Sequence, residues 1–149
     1  MEHPGEYSPE SLAYEYIKRN RTKEKIPCIR FPVDAYTILK RYSTRKQEHF
    51  LAITLNTAYA VIKTHVISKG IVDKTIIHAR EIFRAAIKDN ATAVLLAHNH
   101  PSGKLDPSHE DRVITQNLKG TGKLLGIHVL DHIILTKDSY YSFLEDGEL

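Results

Sequence analysis

The sequence predicts a layered α+β or α/β domain, and three observations carry that prediction. Short apolar runs rich in Val, Ile and Thr alternate with segments of helical spacing. Two strand candidates adjoin across "LNTAY", which fits a hairpin turn. The run "TAVLLAH" (92–98) is short, apolar and bounded, as suits a buried central strand.

Taken in order, residues 9–20 read as a short helix and "NRTKEK" as a linker, so residues 1–25 are expected to form a polar, partly helical extension to a domain over 26–149. "IPCIRF" (26–31) is a strand candidate, and "PVDAYTILKRY" (32–42) a helix with proline in its first turn. "HFLAITLN" (49–56) and "TAYAVIKTHVISKG" (57–70) read as two strands. "KTIIHAREIFRAAIKDN" begins as a short strand and becomes a helix near Ala79, with Ile82, Phe83, Ala86 and Ile87 on one face and Asn90 closing it. After the central strand comes a loop with Pro101, Gly103 and Pro107. "SHEDRVITQNLKGTG" places Val113, Ile114, Asn117 and Leu118 on a helical stripe that stops at Gly120 and Gly122. "GIHVLDHIILT" (126–136) is a long strand, and "KDSYYSF" a turn with a final strand.

At 149 residues the chain is the size of one ordinary domain with a real core. No apolar stretch approaches the roughly 20 residues that cross a bilayer, so no membrane partner is expected. The polar start "MEHPGEYSPE" is unlike a secretory signal, and a cytoplasmic protein is the default expectation. Cys28 is the single cysteine, which excludes an intrachain disulfide and a thiolate zinc cage. The net charge of +3, from 21 basic and 18 acidic residues, is a weak bias. The basic runs "IKRNRTKEK" (17–25) and "KRYSTRK" (40–46) read first as solvated faces, with phosphate contact as the alternative.

Chemistry concentrates in "VLLAHNHPSGKLDPSHEDR" (94–112). If the strand continues through His98 and His100, both side chains leave one face, with Cα atoms about 6.5–7 Å apart. Two imidazoles so placed can share one Zn²⁺, and Asp111, one turn inside the following helix, can face back to make a third ligand. Such a set leaves the fourth position for water. Structural explanations compete. Asp106-Pro107 makes a good helix start, Ser108 and Asp111 can form a capping box, and His98 can be a satisfied buried histidine. None of them explains why two histidines at strand spacing end an apolar strand, and the metal reading is preferred.

The pattern His98-Asn99-His100, seven residues, Ser108, two residues, Asp111 resembles that of the JAMM (JAB/MPN) metalloprotease-like domains. The wider "IIHAREIFRAAIKDNATAVLLAHNHPSG" and "GKLLGIHVLDHIIL" are similar to the RadC-like branch, over roughly residues 26–144. The resemblance implies a mixed, largely antiparallel curved sheet flanked by helices, of the cytidine-deaminase-like kind. It implies His98, His100 and Asp111 as zinc ligands, Glu48 as the general base, and Ser108 as a stabiliser of the oxyanion. Glu48 in "RKQEHFLAITLN" stands where the family has its glutamate; an exposed strand-end carboxylate is the plain alternative, and Glu81 is the rival base. His78, His109, Asp131 and His132 are given structural roles, Asp131 and His132 as a buried Asp–His hydrogen bond, with His78 foremost among the four to line a cleft.

The function expected is therefore a zinc-dependent hydrolase of the metallopeptidase or isopeptidase type, acting on a peptide or isopeptide substrate. The alternatives are a DNA-repair-associated, nucleic-acid-interacting module and a non-catalytic metal-binding scaffold. The helix-hairpin-helix segment of longer family members has no room here, which weakens the DNA reading, and the full ligand set argues against the scaffold. An HNH nuclease is excluded, because its three motif residues are spread over a ββα unit and here they are contiguous. A (β/α)8 hydrolase is disfavoured, since that fold takes about 250 residues.

Overall fold

A computed structural model describes residues 25–70 and 77–149. The helix expected over 9–20, most of the linker, and the short strand before Ala79 (apart from Ile77 and His78) lie outside the described residues. The elements run α1 (Pro32–Leu39), a 3-10 turn (Lys40–Tyr42), β1 (His49–Leu55), β2 (Val61–Lys69), α2 (Ala79–Lys88), β3 (Ala93–Asn99), α3 (His109–Leu125), β4 (His128–Leu135) and β5 (Tyr140–Ser142). They build one five-stranded sheet in the order β2-β1-β3-β4-β5. Among the described residues only β3 and β4 pair in parallel, joined through α3; the other neighbours are antiparallel. This is the mixed, largely antiparallel sheet flanked by helices that the family resemblance implies.

Strand β3 is buried along its whole length because helices cover both faces of the sheet. On one face, Ala35, Tyr36 and Leu39 of α1 pack on Leu51, Ile53, Leu95, Ala97 and Ile133. On the other, Ile82, Phe83 and Ala86 of α2 and Ile114 and Leu118 of α3 pack on Phe50, Ala52, Val94 and Leu96. Alternation along each strand thus assigns every side chain to one layer. The second layer also holds the polar end of β3.

Three expectations are corrected and one is refined. The segment 26–31 is no strand: Cys28 makes one bridge to Ala60, Ile29 N donates to Tyr59 O, and Val61 N donates to Pro27 O. Pro27 has no N–H to offer a ladder, and Pro32 already opens α1. The helical stripes are narrower than read, since Ile87 is 58 % exposed and Val113 46 %. The expected Asp131–His132 hydrogen bond forms through the His132 backbone N–H, at 2.7 Å, and not through the ring, because neighbours in β4 point to opposite faces. Asp131 also accepts Ser142 Oγ at 2.6 Å and Leu144 N at 3.0 Å.

Helix α3 does not stop at Gly120 or Gly122; it runs to Leu125 and closes at Gly126, whose φ is 70°. Gly122 is a packing glycine. A Cβ there would stand 2.4 Å from Ile127 O and 3.1 Å from Val129 Cγ2. Gly122→Ala is expected to cost about 2–3 kcal/mol of stability, read as a lowered denaturation midpoint; a wild-type midpoint would refute the packing role.

Asp89, just past α2, ties that helix to the sheet: Thr54 Oγ1 donates to it at 2.7 Å and His65 Nε2 lies at 2.6 Å. Burial pushes its carboxyl up, but these partners outweigh burial and hold it below the ordinary 3.8. Its ionised form is the favoured one in the fold. The stabilisation is therefore complete above about pH 4 and is lost as pH falls through the folded value. Asp89→Asn is expected to flatten the acid limb of the stability profile; an unchanged limb would rule out this link.

Candidate metal centre

The centre is assembled at one end of the sheet. Phe50 pairs with His98 across β1 and β3, so Glu48, two residues before Phe50, arrives beside the end of β3 on the same face. The capping box expected of Ser108 and Asp111 places the third element. Asp111 N donates to Ser108 Oγ at 3.0 Å, and Ser108 N donates to Asp111 Oδ2 at 2.9 Å. Ser108 is the N-cap, which replaces the helix start at Asp106-Pro107. The Ser108 hydroxyl acts there as an acceptor only, so its own O–H remains available.

Glu48, His98 and His100 each offer one ligand atom, all within 4.8 Å of one another, and this group could hold a metal ion. The Asp111 carboxylate closes on the same two imidazoles, with Oδ1 3.3 Å from His98 Nε2 and Oδ2 3.4 Å from His100 Nε2. Glu48 Oε1 is 3.9 Å from His98 Nε2. His98 and Asp111 are fully buried, whereas His100 and Glu48 are 16 % and 19 % exposed, so the centre is walled on one side and open on the other. Asp111 Oδ1 is buried and makes no hydrogen bond.

For neutral imidazoles, the hydrogen bonds around the histidines assign the ring protons. His100 Nδ1 lies 2.7 Å from Lys104 O, which can only accept, so Nδ1 carries the proton and Nε2 a lone pair. Behind His98 runs a longer chain. Thr115 Oγ1 donates to Asp111 O at 2.6 Å. With that hydrogen committed, Thr115 Oγ1 accepts from His132 Nδ1 at 2.6 Å, and His132 Nε2 accepts from His98 Nδ1 at 2.8 Å. A neutral His98 then also presents a lone pair at Nε2. The two Nε2 atoms stand 3.0 Å apart. Two lone pairs at that distance repel unless a cation, either a proton or a metal ion, lies between them. With an orphaned carboxylate oxygen beside them, the donor set fits a divalent metal.

Burial alone would raise the Asp111 carboxyl. The contacts from His100 and His98, the charge that His98 carries when protonated, and the Ser108 N–H outweigh it and hold the group far below the ordinary carboxylate range, so Asp111 is an anion. Phe50 stacks on His98, with centroids 6.0 Å apart, and Phe143 stacks on His132 at 5.0 Å. These rings form the dry wall of the centre.

His132 and Thr115 were not legible as site residues. The available signal was a histidine in an apolar strand and a threonine one helical turn after Asp111. Asn99 was legible only as the spacer between two histidines. Glu81 is not brought to the centre: it pairs with Arg84 at 2.8 Å and Arg80 at 3.5 Å on the surface of α2. His78 and His109 line a groove of about 510 Å³ between the start of α2 and α3, floored by Ile77, Ile114 and Leu118.

Among the described residues, no helix is long and apolar enough to cross a membrane. The family model described as the RadC-like JAB domain matches residues 29–148. A UPF0758 protein of Thermotoga maritima is 40 % identical over 139 residues, covering 92 % of this chain and 63 % of that protein. One from Staphylococcus haemolyticus is 45 % identical over 125 residues, 83 % of this chain and 54 % of the relative. One from Methanospirillum hungatei is 47 % identical over 107 residues, 72 % and 48 % respectively. The chain thus spans roughly half to two thirds of the length of these relatives. With the fold, the histidine pair and the helix-borne aspartate in place, the match over residues 29–148 makes this chain a member of the RadC-like JAB domain family.

Proposed function

We propose that the chain is a zinc-dependent hydrolase of amide bonds, of the metallopeptidase or isopeptidase type. The observation that carries this reading is the pair of imidazole Nε2 atoms 3.0 Å apart beside the Asp111 carboxylate, with Glu48 on the open side. His98, His100 and Asp111 would hold the ion; the Asp111 oxygens lie nearer the imidazoles than Glu48 Oε1 does, which favours aspartate as ligand and glutamate as base. When bound, zinc supplies a Lewis acid that makes water a competent nucleophile near neutral pH. Glu48 takes the proton from the attacking water and hands it to the nitrogen of the leaving amine. The Ser108 O–H, not used in the cap, donates to the oxygen of the carbonyl under attack. Phe50 and Phe143 keep bulk water away from the buried histidines.

The test uses zinc-loaded protein with a linear peptide library and with peptides joined through a lysine Nε, products being read by mass spectrometry. Cleavage that chelation stops and zinc restores is the expected result. Zinc-loaded protein that hydrolyses neither linkage would contradict the reading.

A second reading, binding to nucleic acid, has one observation in its favour. A cleft of about 560 Å³ on the α1 side of the sheet is lined by Arg41, Thr44, Arg45, Lys46, Gln47, His49 and Lys69, with no carboxylate among them. If it holds phosphates, DNA affinity should fall steeply with salt, and Lys46→Glu should weaken it at every sequence tried. Absence of any complex at low salt would end this reading.

A further inference from the structure

We infer that Asn99, the residue between the two histidines, is a positioning residue that sets Glu48 against them. The inference rests on the proposed hydrolytic role of Glu48. Alternation along β3 sends His98 and His100 to the metal face and Asn99 to the other. Asn99 is fully buried. Its carboxamide makes three hydrogen bonds, and all three go to the backbone that carries Glu48. Oδ1 accepts from His49 N at 2.7 Å. Nδ2 donates to Gln47 O at 3.0 Å and to Arg45 O at 3.2 Å. Glu48 therefore sits between two residues that one side chain holds, and its own carbonyl accepts from Gly70 N at 2.7 Å.

The chemistry of the residue type matters here. The strap needs one acceptor and two donors on a short, planar, uncharged group, which is the inventory of asparagine. Aspartate has the same shape but would turn a carboxylate toward two carbonyl oxygens. Alanine would remove all three bonds and leave Gln47 O with only the His49 Nδ1 contact at 2.9 Å. Neither change removes an atom from the histidine pair. What changes is the path of residues 45–48, and with it the distance from the Glu48 carboxylate to the reacting water. A misplacement of about 1 Å in such a group costs on the order of 10²-fold in rate.

The experiment compares wild type, Asn99→Asp and Asn99→Ala, each also with Glu48→Gln, as zinc-loaded protein. The expected result is that both Asn99 variants bind zinc as tightly as wild type, keep KM, and lose kcat by about 10- to 10²-fold. In the Glu48→Gln background they lose nothing further, because the residue acts through Glu48. Weakened zinc binding, an unchanged kcat, or the same loss in the Glu48→Gln background would overturn the inference. Crystal structures of wild type and Asn99→Asp give a readout free of activity. Glu48 Oε1, now 3.9 Å from His98 Nε2, should move away while the histidines keep their places. A Glu48 that stays put overturns the inference even if wild type hydrolyses. A wild type that hydrolyses nothing counts against the proposed function, and the displacement still decides whether Asn99 positions Glu48.

Discussion

Glu48→Gln is expected to lower kcat by about 10²–10⁴-fold while leaving zinc content and KM close to wild type. Glutamine keeps the shape of the side chain and its place before β1, but has no basic oxygen to receive a proton. The geometry makes the effect specific. Glu48 Oε1 is 3.9 Å from His98 Nε2, beyond the two Asp111 contacts of 3.3 and 3.4 Å, so its loss should not release the ion. The same substitution at Glu81 is expected to change nothing in turnover, because that carboxylate is engaged with Arg84 and Arg80 on the outside of α2. Single-turnover rates with parallel metal analysis check both. Activity that survives Glu48→Gln would remove this residue from the chemistry.

His98→Ala is expected to abolish zinc binding and to destabilise the metal-free fold by about 2–4 kcal/mol. The ring is fully buried, stacks on Phe50, and donates to His132 Nε2. Its removal deletes a proposed ligand, opens a cavity and breaks the contact with His132 Nε2. His132→Ala is the informative companion. Its ring meets the proposed ligand His98 at 2.8 Å, and its loss breaks the chain behind that ring. Zinc affinity should fall by about 10–100-fold rather than vanish. Zinc titration and thermal unfolding of both variants measure these effects. Unaltered zinc affinity in His132→Ala would mean that the chain through Thr115 does not orient His98.

The sequence made the layers and the two histidines readable because their signals are local. Strand periodicity, the apolar run 92–98 and the Ser108–Asp111 spacing each act within a few residues. What it did not show depends on pairing between distant segments. Glu48 was named through the family resemblance and not from spacing, because it reaches the histidines through the β1–β3 register, in which Phe50 faces His98. His132 arrives behind His98 because β3 and β4 lie in parallel register, a contact with no trace in spacing. The same reason explains Gly122: read alone, a glycine late in a helix is a stop, but here it is where α3 passes over Ile127 and Val129. The Asp131–His132 hydrogen bond runs to the His132 backbone N–H and not to its ring, since adjacency in sequence puts two strand side chains on opposite faces.

The most direct test of the central claim is metal analysis of the purified chain after incubation with zinc and removal of excess. The lone pairs of His98 and His100 with the Asp111 carboxylate predict about one zinc per chain, lost in His98→Ala. A folded wild-type protein that retains no zinc would contradict the account.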